Sequence, residues 1–197
     1  MHNPTKVLYG RLPDFHLSDL GREMAVRAAE ALAGRDIVHV VSSPLERARE
    51  TAEPVAAAHG LEIAVDPDLV EAANVFEGKQ VGLRDLRAPG SWRHLYNPFT
   101  PSWGEPYVQL AARMRLAVRA AREAARGHEA VCVSHQLPIW IARLDAEQRR
   151  FVHDPRRRQC ALASLTSLAF DGDRLVSITY TEPAADLVAR SRGGVGA

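Results

Sequence analysis

The chain has 197 residues, 46% of them hydrophobic and 25% charged, which is enough for one well-buried core and short for two. A formal charge of +1, with both signs interspersed, excludes the broad basic footprint that non-specific nucleic-acid binding needs. The two cysteines, Cys132 and Cys160, stand far apart and outside any ligand-spaced cluster, so neither a disulfide framework nor a zinc site is expected. No stretch approaches the roughly 20 apolar residues that span a bilayer, and the expected setting is the reducing cytoplasm with no membrane partner.

Residues 1–14, punctuated by Pro4, Gly10 and Pro13, lack a helical or strand period and read as an extended loop. Ser18 is placed to cap a helix carrying Leu20, Met24, Ala28, Ala31 and Leu32 on one face, with Gly34 as its stop. Residues 37–41 form an apolar strand that turns at Ser42-Ser43-Pro44 into a helix opening at Leu45 and bearing Arg47 and Arg49; Pro54 is expected to break or kink it. Such a turn points free backbone N–H groups and the positive end of a helix dipole at the strand's carboxyl edge, a favourable place for an anion.

A short strand over 61–65 precedes a long Gly-, Pro- and Trp-rich excursion, residues 68–103, with at most a short helix at 83–86 and with Trp92, Phe99 and Trp103 as apolar lid candidates. A helix from Glu105 to Gly127 leads into strand 130–133, then Ser134-His135 and a helix from about Pro138. Residues 163–170 and 175–180 read as a hairpin joined at Asp171-Gly172-Asp173, and 183–197 as a C-terminal tail after a single domain over 1–182. The alternation implies an α/β three-layer sandwich with a mostly parallel sheet and an antiparallel C-terminal hairpin. Arg47, Glu71 and His135, each just after a strand, should meet at its carboxyl edge.

Several segments carry a resemblance beyond this pattern. SSPLERARETA at 42–52 resembles the SSPLxRAxxTA signature of the histidine phosphatase (phosphoglycerate mutase-like) superfamily, and AVCVSHQLPIW at 130–140 resembles its second histidine motif, with Gln136 where glycine is usual. Leu69-Val70-Glu71 ahead of Phe76-Glu77-Gly78 resembles the LxE…WEG segment, and Gly104-Glu105-Pro106 a helix-start element. Asn3 through Gly10 and Arg11, followed by Leu17 to Gly21, resembles the loop after the nucleophile motif.

The resemblance implies a phosphomonoesterase working through a phosphohistidine on a small phosphorylated metabolite, without metal or organic cofactor. It implies that His135 is the second catalytic histidine and that Glu71, with Glu77 as competitor, is the proton donor. Arg47, Asn3, Gly10 and Gln136 would bind phosphate. The strand ending in Arg-His-Gly that would carry the nucleophile is not in this chain, and His2, lying in the spacer, is no substitute. Met1 is therefore expected to be an internal position read from a GTG codon, with Arg-His-Gly-Glu encoded just upstream. The rivals are a phosphate-binding or regulatory protein without turnover and, far behind, an RNA-binding module built on Arg156-Arg157-Arg158.

Overall fold

The structure, a computed structural model, describes residues 8–74, 77–78 and 104–193. Its order is α1 (Asp19–Leu32), β1 (Ile37–Ser42), α2 (Glu46–His59), β2 (Ile63–Val65), α3 (Tyr107–Ala124), β3 (Glu129–Val133), α4 (Gln136–Ala146), β4 (Leu165–Asp171), β5 (Arg174–Thr181) and α5 (Ala185–Gly193). Asn3, Phe76, Lys79, Trp92, Phe99, Trp103 and the expected helix at 83–86 lie outside the described residues.

Strands β2, β1 and β3 form a parallel sheet in that order. Because side chains alternate along a strand, neighbouring valines of β1 serve opposite layers. Val40, with Val131 and Val133 of β3, packs against Ala29 and Leu32 of α1 and Ala52, Val55 and Ala56 of α2. Val41, with Ala130 and Cys132, packs against Leu110, Met114 and Ala121 of α3 and Trp140, Ile141 and Leu144 of α4. Two helical layers therefore sandwich the sheet and leave its carboxyl edge free for loops, as the sequence implies. Ser18 caps α1 as expected, its Oγ accepting the Gly21 N–H at 3.2 Å.

Four expectations are corrected. Helix α2 runs unbroken through Pro54, which sits beyond the first turn and removes one N–H from the ladder without ending it. Helix α4 begins at Gln136 rather than Pro138, so His135 is itself the residue before the helix. Among the described residues the hairpin β4–β5, antiparallel as expected, pairs with no strand of the parallel sheet, where the alternation of elements suggests an antiparallel edge to it. Part of the expected tail is a helix: Ala184, Leu187 and Val188 bury themselves against Met24 of α1. An apolar cluster this short gives little periodic signal by itself, and its partner lies far upstream in sequence.

Candidate active site

The site begins where β1 and β3 end side by side. The Ser43 N–H donates to the Val133 carbonyl at 2.9 Å, and the Ser134 hydroxyl donates to the Leu69 carbonyl at 2.7 Å, which fixes both turns. His135, the N-cap residue of α4, has extended backbone torsions and is 8% exposed. Its Nε2 lies 2.8 Å from the hydroxyl of the fully buried Ser43. Burial, and then the charges of Arg47, Arg113 and Arg11, push the imidazole pKa down to about 3, so the ring is neutral near pH 7.

Arg47 stands in the first turn of α2 and is 5% exposed. Its Nη2 donates to the Gly10 carbonyl at 2.5 Å, and its guanidinium lies over the Tyr9 ring, 5.0 Å from the centroid. The buried Nη1 has no hydrogen-bond partner among the described residues. Burial lowers the Arg47 pKa, yet a guanidinium stays charged at any ordinary pH. A buried cation with one donor unused, beside a neutral histidine and near a helix N-terminus, is an arrangement whose chemistry suits an anion.

Gly10 is required where it stands. Its φ is +39°, and a Cβ there would lie 2.4 Å from the Glu77 carboxylate. Glu77, the competing acid, accepts the Asn74 N–H at 3.2 Å and lies against Gly10, so its side chain braces the loop.

Glu71 follows β2. Burial raises its pKa, opposed by the Ala72 N–H at 2.8 Å and by the charges of Arg47, Arg158 and Arg113. Its backbone is clamped: the Glu71 carbonyl accepts from Arg11 Nε at 2.6 Å and from Arg113 Nη2 at 3.3 Å. Both arginines are themselves held by Glu105, through Arg11 Nη2 at 2.9 Å and Arg113 Nε at 2.8 Å. Although burial works against ionisation, the Arg113 hydrogen bond and the charges of both arginines hold the Glu105 carboxyl below its ordinary range.

The elements thus bring Arg47, Gly10, Glu71 and His135 to one edge. The sequence profile of the histidine phosphatase superfamily (branch 1) matches residues 1–183. The chain belongs to this superfamily. The protein Rv0525 of Mycobacterium tuberculosis (strain ATCC 25618 / H37Rv) is 61% identical over 187 residues, 94% of this chain and 93% of that protein. The native structure of the mycobacterial glucosyl-3-phosphoglycerate phosphatase Rv2419c is similar with a TM-score of 0.60 at 29% identity, covering 77% of this chain and 76% of that one. Bacillus stearothermophilus YhfR has the same fold, with a TM-score of 0.70 at 23% identity over 85% of this chain and 86% of that one.

Within this superfamily member, Gln136 is the first residue of α4. Its side chain donates to the Cys160 carbonyl at 2.7 Å, so it ties down a neighbouring loop, while its backbone N–H stands at the start of α4, where helix N–H groups lack intrahelical partners. Among the described residues, no group of three or more His, Cys, Asp or Glu is placed to hold a metal, and no helix is long and apolar enough to cross a membrane.

Sequence reasoning missed three parts of the site: Ser43 as the partner of His135, Tyr9 beneath Arg47, and the Arg11–Glu105–Arg113 clamp. Ser43 lay inside a quoted motif, but the clamp joins residues up to 94 positions apart and leaves no local signal.

Gly104 is the tightest backbone contact behind this clamp. It bridges Asn74, and a Cβ on it would lie 2.7 Å from the Ala73 carbonyl oxygen. Gly104→Ala is expected to lower stability by about 1–3 kcal/mol, because backbone rather than a flexible side chain must move. Urea unfolding of the two proteins measures it.

Proposed function

We propose that this histidine phosphatase is a phosphomonoesterase of small phosphorylated metabolites, working through a phosphohistidine. The observation that carries the reading is the unused donor of buried Arg47 beside the Ser43–His135 pair. In this reading Arg47, His135, the Gln136 N–H and Asn3 hold the non-bridging oxygens as charge builds on them. The attacking histidine takes the phosphoryl group from the ester oxygen as Glu71 gives that oxygen its proton. Water then attacks phosphorus, the resulting carboxylate of Glu71 takes the water proton, and the histidine leaves as phosphate forms. The raised pKa of Glu71 supports the acid role, since a donor must still hold its proton near neutral pH. The similarity to a glucosyl-3-phosphoglycerate phosphatase supports the class of reaction.

A second reading, phosphate binding without turnover, is favoured by one observation. Among the described residues, His16 pairs with Glu50, His128 with Asp36, and His153 with the Phe151 carbonyl and Arg158, while His135 is the histidine whose ring lies beside Ser43 under the charges of Arg47, Arg113 and Arg11. The test is to titrate orthovanadate into, and assay p-nitrophenyl phosphate with, the 197-residue chain and the protein purified from its native cells. Vanadate binding with hydrolysis supports the esterase, binding without hydrolysis supports the second reading, and no binding overturns both.

Glu71→Gln separates the acid from the anion site. In protein that turns over, it is expected to lower kcat on alkyl phosphates by about 100-fold or more and to affect p-nitrophenyl phosphate far less, because that phenolate leaves without a proton. Its stability effect has the opposite sign. The folded-state pKa is raised, so stability present below the unfolded value near 4.5 is lost as pH rises through the folded value. Glu71→Gln should therefore gain melting temperature relative to the parent at pH 8 and not at pH 4.

A further inference from the structure

The basic run Arg156-Arg157-Arg158 does not form one patch. Arg156 and Arg157 sit on a 3-10 turn, Pro155–Arg157, capped by the Asp154 carboxylate, which accepts the Arg156 N–H at 2.9 Å; both side chains are exposed. Arg158 follows the turn with an extended backbone and is half-buried.

His153 holds Arg158 in place. Its Nδ1 lies 2.6 Å from the Phe151 carbonyl, which can only accept, so Nδ1 carries the proton and Nε2 is left to accept the Arg158 Nε–H at 2.8 Å. The ring is flanked by Tyr107 of α3 and Trp140 of α4, each 5.9 Å away between centroids. Burial keeps the His153 pKa below its ordinary value, which preserves the neutral ring that this bond requires. Among the described residues, Nε is the nitrogen of Arg158 that is engaged, which leaves the planar Nη1–Nη2 edge for a ligand.

The surrounding contacts bring this edge to the rim of the active site. The loop is tied to the first residue of α4, beside His135, by the Gln136 bond to the Cys160 carbonyl, two positions after Arg158. Tyr107 stands two positions after Glu105, whose carboxylate holds the arginines that clamp the Glu71 carbonyl. Arg158 and Glu71 also lie within reach of each other's charge. Burial raises the Glu71 pKa, and Arg158 is one of the cations opposing it; burial lowers the Arg158 pKa, and Tyr107 and Glu71 oppose it. Beyond burial, the cations acting on His135 are Arg47, Arg113 and Arg11. Arg158 therefore belongs to the side of the acid. In the proposed reaction Glu71 serves the ester oxygen, so that side receives the alcohol part of the ester.

Resting on the phosphomonoesterase reading, we infer that Arg158, oriented by His153, forms a second anion subsite that binds a carboxylate or a further phosphate on the alcohol part of the substrate. The substrate class is then a phosphomonoester that carries a second negative group. Arg158 sets specificity, and His153 is a positioning residue that fixes the guanidinium so that its two Nη donors can meet two oxygens together.

The test uses three phosphonates that need no turnover and share one spacer: propylphosphonate, phosphonopropionate, which adds a carboxylate, and ethylenediphosphonate, which adds a second phosphonate. Their affinities are measured calorimetrically for the protein and its variants purified from the native cells. One or both doubly anionic ligands should bind about 10-fold or more tighter than propylphosphonate, the effect of one charge-assisted contact. A preference for phosphonopropionate alone assigns the subsite to a carboxylate, and one for ethylenediphosphonate alone to a phosphate. Arg158→Gln should abolish the preference and leave propylphosphonate affinity unchanged, whereas Arg157→Gln should change neither. His153→Phe keeps an aromatic ring between Tyr107 and Trp140 but loses the acceptor, and should reduce the preference several-fold with Arg158 still present. Equal affinity for all three ligands overturns the inference and leaves the proposed function standing. A preference that survives Arg158→Gln overturns it too. Binding of none of the three overturns the phosphate pocket, and the inference with it.

Discussion

Arg47→Ala is expected to weaken vanadate binding by about 100-fold or more. The guanidinium is buried, its Nη1 has no protein partner among the described residues, and a charge-assisted hydrogen bond to an anion contributes about 1.5–3 kcal/mol. Loss of two such contacts at the low end already reaches about 3 kcal/mol, a hundredfold in affinity. Arg47→Lys should recover only a minor part, since an ammonium keeps the charge and loses the planar fork. Sequence reasoning alone implies that such a substitution leaves the fold intact. The structure qualifies this, because Arg47 also holds the Gly10 carbonyl and lies over Tyr9. Faster amide exchange around Tyr9 and Gly10 should accompany the loss of affinity, while the helices stay protected. Calorimetric titration with vanadate and exchange on the same sample measure both, and unchanged affinity would remove Arg47 from the site.

Replacing His135 should also cost about 100-fold in vanadate affinity, with a distinct signature in pH. The folded-state pKa, about 3, lies below the ordinary value of 6.5, so between these values the unfolded chain binds more protons than the folded one. The stability contributed by the neutral buried ring is full above pH 6.5 and is lost as pH falls toward 3, by about 1.4 kcal/mol per pH unit. His135→Gln can still bond Ser43 and does not titrate. Its urea midpoint should therefore fall less steeply than that of the parent between pH 6.5 and 4.5. Parallel profiles for the two proteins would show that His135 is not held neutral by burial.

Much of the fold was legible because period and punctuation agreed: Ser18 before an amphipathic run, an apolar strand turning at Pro44, and a long helix before β3. The site was legible to the extent that its residues follow strands: His135 two positions after β3, Arg47 in the first turn of the helix after β1, and Glu71 past a 3-10 turn after β2. What escaped was non-local. Glu105 read as part of a helix start, yet its carboxylate holds Arg11 and Arg113, which hold the Glu71 carbonyl. Nor does the sequence show that the Gln136 side chain bonds the Cys160 carbonyl, 24 positions away. The separation of β4–β5 from the parallel sheet was equally invisible, because a strand's own residues do not record whether both its edges are paired.

The account rests on Arg47 and His135 forming one anion pocket, and the most direct measurement is the imidazole NMR signal of His135 during a vanadate titration. The free protein should show a ring that stays neutral from pH 8 down to pH 5. A single saturable event should then shift that signal and raise its pKa, because a bound anion offsets the burial and arginine charges that depress it. Saturable vanadate binding that leaves the His135 signal where it was, or no binding at all, would contradict the pocket.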